Sequence, residues 1–299
     1  MNTNFLIILL NYNNSDDTIG CIESLKNSCV EDRNILLIEN CSSDDSYEKL
    51  LSKFLSIKIL KMDKNLGFTG GNNVGIKYAL ENGYDYAILL NNDTIVNSKD
   101  TFRILINEMD KNRNATLGTG RIFYYPQKHR IWYDGGKLVN YRGTAIHFNA
   151  NLEESQVKLD NTIREIDFIS GCYMCIRLSD LEKLGYLDEK IFIYMDDTEY
   201  SARAIKKKMK LIYIPEAAIY HKARGEGQRS PRMIYYSIKN RKLLIEQHFG
   251  ITAKTYFNMV LIYKRVKWFL SNKKYYDILI RAIGDYNKGY FGQAPEDIR

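Results

Sequence analysis

Residues 57–93, IKILKMDKNLGFTGGNNVGIKYALENGYDYAILLNND, run from an apolar strand through a glycine-rich turn and a helix into a second apolar strand that stops at three polar residues. Apolar runs this short, bounded by Gly and Asn, read as buried strands, and a helix joining two of them is the unit of a parallel sheet. The alternation extends backwards. FLIILLNYN (5–13) is a strand, and residues 18–28 place Ile19, Ile22 and Leu25 at helical spacing. NILLIEN (34–40) is a second strand and SYEKLLSKF (46–54) a second helix. The expectation is an α/β chain with a mostly parallel central sheet and helices on both faces. Its ligand crevice then lies outside the carboxyl ends of the strands. The polar residues there are Asn11 to Asn13, Glu39 to Ser43, Asn65, and Asn91 to Asp93.

Forward of this stretch, a helix is expected from Lys99 to about Asn112, then a looser aromatic and glycine-bearing region over 117–150. DFISGCYMCIR (167–177) resumes the strand pattern. SDLEKLG (179–185) reads as a helix with Ser179 as its N-cap and Gly185 after its end. YMDDTEYSARAIKKKM (194–209) is a helix with acids in its first turn and lysines in its last, as the helix dipole favours. KLIYIPEAAIYHK (210–222) reads as a strand pair or a strand and turn, and the remainder as two or three helices. The chain divides at about residue 225, with a basic helical extension over 226–299.

Hydrophobic residues make up 45% of the 299 and charged residues 26%, enough for a substantial core, and with four prolines there is no proline-rich linker. The apolar runs at 5–10 and 257–263 are far short of the roughly 18 residues that span a bilayer. The start MNTNFLIILLNYNN has no basic region before its apolar stretch and reads as a first strand rather than a secretory signal. The expected location is the cytoplasm. Five cysteines in irregular positions fit reduced thiols; Cys172 and Cys175 form a CxxC inside an apolar stretch with no further metal ligands nearby, so they read as buried and structural.

Charge is unevenly placed. Residues 1–221 carry 27 Lys and Arg against 30 Asp and Glu, whereas residues 222–299 carry 16 against 6. The positive excess therefore sits in the last quarter. There Lys254, Lys264, Arg265, Lys267, Lys273, Lys274 and Arg281 stand beside Tyr256, Phe257, Trp268, Phe269, Tyr275 and Tyr276. Basic residues with interfacial aromatics suit an anionic membrane surface, here through residues 251–299. The competing reading is a helical subdomain packed on the core or on a second subunit. Nucleic acid is not expected as a partner: no RNA-binding motif is present, and the acidic first part would repel a polyanion.

Several side chains could carry chemistry. Glu39 ends a strand, where a carboxylate can accept from a pyrimidine imide or a ribose hydroxyl; taken alone, such a Glu is usually solvated. Asn91-Asn92-Asp93 follows a fully apolar strand. One carboxylate there can ligate a hard divalent cation, though NND alone is an ordinary turn. Asp196, Asp197 and Glu199 crowd one helical turn. The dipole explains acids at a helix start, but adjacent acids also raise one another's pKa, which suits a general base. His221 ends a strand, and most single histidines are not ligands.

Their order and spacing add what each lacks. The motifs LNYNNSDDTIGCIESL (10–25), IENCSSDDS (38–46), NLGFTGGNNVGIKYAL (65–80), LLNNDT (89–94), the IWYDGGK region, DFISGCYMCIR, YMDDTEYSARA (194–204), IYHK and SPRMIYYSIKNR (230–241) are collinear. In these motifs the chain resembles the family 2 inverting glycosyltransferases, particularly the rhamnosyltransferase-like branch of bacterial surface-polysaccharide synthesis. The likeness runs from Phe5 to about Gly250, with a weaker echo in AIGDYNKGYFG (282–292).

The resemblance implies a GT-A fold, with a nucleotide-sugar-binding half to about residue 115 and an acceptor-binding half over 116–225. It implies that Glu39 takes the place of the family's base- or ribose-binding Asp. It puts Asn11 and Asn13 on the first nucleotide-binding loop, and Asn65, Gly67, Gly71 and Asn73 on the loop over nucleotide and sugar. Asn91, Asn92 and Asp93 stand where the family has DxD, with Asp93 and His221 as ligands of a divalent metal, Mg²⁺ or Mn²⁺. Asp197 corresponds to the general base, and Trp132, Gly171, Cys172 and Asp196 are acceptor-side candidates. Two departures stand out: Glu39 is one methylene longer than the usual Asp, and Asn91 replaces the first acid of DxD, as is usual in that branch. The implied partners are a dTDP- or UDP-sugar donor and a glycan or polyprenyl-linked acceptor at the inner face of the cell membrane. Donor sugar, linkage and oligomeric state stay open, and a non-catalytic nucleotide-sugar binder is the rival reading because Asn91 thins the metal site.

Overall fold

The computed structural model describes residues 4–223 and 230–298. Its first half alternates β1 (Phe5–Asn11), α1 (Ser15–Asn27), β2 (Ile35–Glu39), α2 (Ser46–Lys53), β3 (Lys58–Lys61), α3 (Gly67–Glu81) and β4 (Tyr86–Asn91). β1 pairs in parallel with β2 and β4, and β2 with β3, giving the order β3-β2-β1-β4. The chain steps outward from β1 to β3 and then returns across β1 to β4. Right-handed crossovers then put α1 and α2 on one face and α3 on the other. α3 lies against the sheet so closely that a Cβ on Gly71 would stand 2.4 Å from Leu10 Cδ1. The topological switch falls between β1 and β4, where Leu10 is in register with Asn91 while Asn11 faces Glu39 across the other pairing. The polar strand ends thus converge, as the sequence pattern requires.

The second half extends this sheet with both strand directions. It comprises β5 (Thr94–Ile95), α4 (Thr101–Lys111), β6 (Ala115–Tyr124), β7 (Ile131–Tyr133), β8 (Gly136–Val139), β9 (Thr144–His147), β10 (Arg164–Ile166), β11 (Tyr173–Arg177), α5 (Leu181–Leu184), α6 (Asp196–Lys206) and β12 (Lys210–His221). β11 enters antiparallel between β4 and β6, and β12 runs parallel to β6, so the sheet reads β10-β12-β6-β11-β4-β1-β2-β3. β8 and β9 form a separate antiparallel pair. This is the mixed α/β, GT-A-like architecture expected, parallel on the β1–β4 side and mixed beyond it.

Four local expectations are corrected. The start of the region taken as loose is β6, a strand buried along its whole length. Its glycines serve approach rather than flexibility: a Cβ on Gly120 would lie 1.7 Å from the Ala217 carbonyl oxygen. Residues 210–221 form one strand, not two; its pairing with β6 jumps from Ile214–Gly120 to Ile219–Ile122, which gives Pro215 a place outside the ladder. Within 167–177 only Tyr173–Arg177 is strand. Ser179 sits inside a 3-10 turn ahead of α5, whose N-cap is Asp180, while Gly185 ends that helix at φ 86° as expected.

Beyond the undescribed residues 224–229, where the expected division at about 225 falls, come α7 (Pro231–His248), α8 (Ile251–Ser271) and α9 (Lys273–Asn287). Ser230 caps α7 by accepting from the Met233 N–H, and Pro231 occupies the first helical position, where no donor is needed. Ile234, Tyr235 and Ile238 of α7 pack with Ile278, Leu279 and Ala282 of α9 in a second apolar cluster. Phe192, Ile193 and Tyr194 lean on it, so these helices buttress the segment entering α6. Among the described residues no helix is long and apolar enough to cross a membrane.

Candidate active site

A cleft of about 400 Å³ opens at the β1–β4 switch point. Leu10 and Leu90 lie at its sheet side, and Asn91, Asn92, Asp93, His221, Gly171, Cys172, Asp196, Asp197 and Trp132 all line it. The structure therefore brings together the NND turn, the histidine, the acid pair and the acceptor-side candidates from five separate parts of the chain.

The nucleotide-side residues behave differently. Asn11 is fully buried; its Oδ1 accepts from the Thr18 hydroxyl at 2.8 Å and its amide donates to Ser42 at 3.2 Å. Asn13, at φ 55°, exchanges hydrogen bonds with Ser43. These two asparagines shape the rim by binding their own chain. Glu39 is fully buried and off the cleft lining, with Oε1 accepting from the Ser42 N–H at 2.9 Å and Oε2 without a hydrogen-bond partner among the described residues. A buried carboxylate oxygen left unpaired is costly unless something else donates to it.

The loop expected over 65–73 is corrected: from Gly67 onward it is the first turns of α3. Asn65 and Gly67 remain at the turn, held by Asn40, whose amide donates to Asn65 Oδ1 and to the Gly67 carbonyl at 3.1 Å each. Gly67 has φ +74°, and a Cβ there would meet the Phe192 carbonyl at 2.4 Å, so only glycine fits. Gly71 packs on β1. Asn73 clamps residues 187–189 through its amide and carbonyl, bonding Leu187 and Glu189, and does not line the cleft. Asn40 went unassigned in the sequence because nothing local marks it.

Asn92 donates to the Thr18 hydroxyl at 2.7 Å, and the Asn91 N–H donates to the Cys172 carbonyl at 2.9 Å, which locks the NND turn between α1 and β11. Asp93 Oδ1 then lies 3.1 Å from His221 Nε2. The contact is close but not a well-formed hydrogen bond, since Oδ1 is a buried oxygen lacking a hydrogen-bond partner among the described residues. Trp132 stacks edge-on against the His221 ring at 4.7 Å between centroids. Burial works against the imidazolium, but the Cys172 thiol and the Asp93 carboxylate outweigh it and push the His221 pKa up to about 10.

Among the described residues no three or more His, Cys, Asp or Glu side chains cluster as a metal site. The Asp93–His221 pair nevertheless fits a divalent cation completed by other oxygens. Ligands held at about 2.1 Å and at right angles lie about 3 Å apart, the spacing observed here. An oxygen with an open lone pair is a suitable donor, and the imidazole nitrogen facing it becomes one when the metal displaces its proton.

Asp196 and Asp197 begin α6, where the dipole favours anions. Asp196 is the more buried; burial and then the Asp197 charge push its pKa up to about 8, so it keeps its proton near neutrality. Asp197 is the more exposed to the cleft. Its Oδ2 accepts from the Gly171 N–H at 3.2 Å and its Oδ1 from the Thr198 N–H at 2.7 Å. Burial still leaves its pKa raised, against these bonds and nearby His147. Glu199, the third acid, points elsewhere: Arg203 and His248 pair with it at 2.6 and 2.8 Å. Burial opposes that carboxylate, but His248 and Arg203 outweigh it and hold it below the usual range, as a tie between α6 and α7.

The turn that aims the pair is strained. Tyr194 and Met195 have φ 66° and 69°, a region that non-glycine residues seldom occupy. Fully buried Asn240 of α7 holds it, donating to the Ile193 carbonyl at 2.8 Å and the Tyr194 carbonyl at 3.0 Å. Under Trp132, Asp134 of the IWYDGGK stretch is buried and accepts from Arg121, Tyr213 and Asn149 at 2.9, 2.6 and 2.7 Å. That motif aspartate is a structural clamp of the second half.

The profile of "Glycosyl transferase family 2" matches residues 6–185. Over 243 residues the chain is 24% identical to the "Low-salt glycan biosynthesis hexosyltransferase Agl10" of Haloferax volcanii, covering 79% of this chain and 74% of that protein. It is 22% identical over 259 residues to the "dTDP-rhamnosyl transferase RfbF" of Shigella flexneri, covering 83% and 82%. Among solved structures, GalNAc-T7 with UDP, GalNAc and Mn²⁺ superposes with a TM-score of 0.66 at 16% identity, over 96% of this chain and 55% of that one. The chain thus spans about half the length of that structure, and the likeness concerns the fold.

Proposed function

The chain belongs to glycosyl transferase family 2, and from that membership we propose an inverting, metal-dependent transfer of a sugar from a nucleotide-diphospho-sugar to a hydroxyl of a glycan or polyprenyl-linked acceptor, in cell-surface polysaccharide synthesis at the inner face of the cell membrane. L-Rhamnose from dTDP-rhamnose is the first candidate donor, supported by the likeness to RfbF. A UDP-hexose donor is the second reading, supported by the likeness to a hexosyltransferase.

The observation that carries the reading is the placement of Asp197 and Asp93 on one cleft, with a protonated acid behind the first and a histidine against the second. Asp93 and His221 would hold a divalent cation, which when bound supplies charge to offset that developing on a leaving diphosphate. Glu39, whose Oε2 has no hydrogen-bond partner among the described residues, is the acceptor for the base or ribose in this reading; being fully buried and off the cleft lining, it must be uncovered when the nucleotide binds. Asp197 takes the proton of the acceptor hydroxyl as that oxygen attacks the anomeric carbon from the face opposite the diphosphate. One displacement inverts the configuration. Asp196, keeping its own proton, leaves Asp197 as the anion of the pair. Residues 1–225 form the catalytic unit in this reading and 226–299 its basic helical extension.

Thermal stability with dTDP, UDP and GDP, each with and without Mn²⁺ or Mg²⁺, tests it. A ligand at about 100 times its Kd stabilises by about 2.7 kcal/mol. A metal-dependent shift with dTDP alone supports the rhamnosyl donor, and one with UDP alone the hexosyl donor. No shift with any of them removes the roles given to Glu39 and Asp93.

A further inference from the structure

α8 has two opposite apolar faces, and among the described residues only one of them is covered. Ala253 and Phe257 are buried, with Leu261 and Trp268 leaning the same way, so this face docks on the rest of the molecule. On the opposite side Ile251, Met259, Ile262, Tyr263, Val266, Phe269 and Leu270 are between 57% and 77% exposed. At 3.6 residues per turn these seven fall within an arc of about 120°, centred about 180° from the docked face. Isolated exposed apolar residues need no explanation, but a contiguous stripe along five turns does.

Charge identifies what covers it. α8 contains Lys254, Lys264, Arg265 and Lys267 and no acid. On the same helical projection Lys254 and Arg265 border the stripe on one side and Lys267 on the other, while Lys264 lies towards the docked face. The next helix opens with Lys273 and Lys274. An apolar stripe bordered on both sides by cations suits a helix lying in the headgroup region of an anionic bilayer. A second copy of the same helix would set these cations against cations, with no acid on α8 to receive them.

We propose that α8 is the membrane-contacting surface, its Met259–Leu270 stripe entering an anionic lipid leaflet with the helix parallel to it. This extends the reading of a lipid-linked acceptor and amends the sequence expectation: Phe257 and Trp268 support the helix from behind, while Met259, Ile262, Tyr263, Val266, Phe269 and Leu270 meet lipid. α8 follows α7, whose Asn240 holds the turn before the acid pair, so the cleft and the lipid-facing stripe are joined through one packed helix pair.

The test is flotation of the full-length protein with vesicles of phosphatidylcholine alone or mixed with phosphatidylglycerol, alongside its nucleotide-dependent thermal shift. The wild type should bind the mixed vesicles about tenfold better than the neutral ones, and less as salt rises. Ile262→Ser with Phe269→Ser, and separately Arg265→Glu with Lys267→Glu, should each abolish most of this binding while leaving the nucleotide shift unchanged. Equal binding to both vesicles, or wild-type binding by both double variants, overturns the proposal. So does a dimer in sedimentation velocity that Ile262→Ser with Phe269→Ser dissociates, which would assign the stripe to a second copy. Failure of the nucleotide shift alone would instead count against the transferase reading.

Discussion

The backbone N–H of Gly171 donates to Asp197 Oδ2 at 3.2 Å, tying the first turn of α6 to the turn that leads into β11. The carboxyl is thereby fixed on the cleft wall, while burial still raises its pKa above the ordinary carboxylate value. A base works only when deprotonated, so kcat/KM should climb with pH by about tenfold per unit on the acid side. It should level off at a midpoint above about 3.9, the unperturbed value. A pH–rate profile measures this, and a flat profile through the acid range would remove Asp197 from the proton transfer.

Asp196 makes a separate prediction about stability. Its folded-state pKa is raised to about 8, first by burial and then by Asp197. Between about 3.9 and that value the folded chain holds a proton the unfolded chain has released. Stability from this group therefore falls as pH rises through that window. Asp196→Asn should flatten the decline, read from urea midpoints at acidic and mildly alkaline pH.

Asp93 and His221 offer paired donors, and among the described residues Asp93 Oδ1 has no hydrogen-bond partner. Asp93→Ala should weaken nucleotide binding by about tenfold or more, a loss of about 1.4 kcal/mol, when Mn²⁺ is present, and leave it unchanged in EDTA. Titration calorimetry in both buffers decides this. Equal losses in the two would reassign Asp93 to the architecture of the turn.

Asn240 touches no predicted ligand, yet it supplies both hydrogen bonds that hold residues 193–194 in their strained turn. Asn240→Ala should lower kcat more than it changes nucleotide affinity, and each lost bond to these part-buried carbonyls should cost about 0.5–1.5 kcal/mol of stability. Steady-state kinetics with a denaturation curve separates the two effects.

The β1–β4 half was legible because its signals are local: continuous apolar strands, helical spacing between them and Asn or Asp where they stop. What the sequence hid depends on approach between distant segments. Gly118, Gly120 and Arg121 break the apolar run of β6, so it reads as loose; in the fold Gly120 makes room for Ala217 and Arg121 pairs with Asp134. Gly71 reads as loop although it lets α3 approach Leu10. Likewise three acids in one turn look alike until His248, far along the chain, draws Glu199 away and leaves two at the cleft. Asn11 and Asn73 read in the sequence as nucleotide-side residues, and nothing local shows that Thr18 and Leu187 already satisfy them.

The most direct test of the account is Asp197→Asn, assayed for sugar transfer and, on the same sample, for nucleotide affinity. The substitution keeps shape and one of the two backbone contacts, to Gly171 or to Thr198, but removes the basic oxygen. Transfer should fall by about 10² to 10⁴, the usual contribution of a positioned base, while nucleotide affinity stays within a few-fold. Transfer that persists, or affinity that disappears with it, would contradict the assignment of Asp197 as the base.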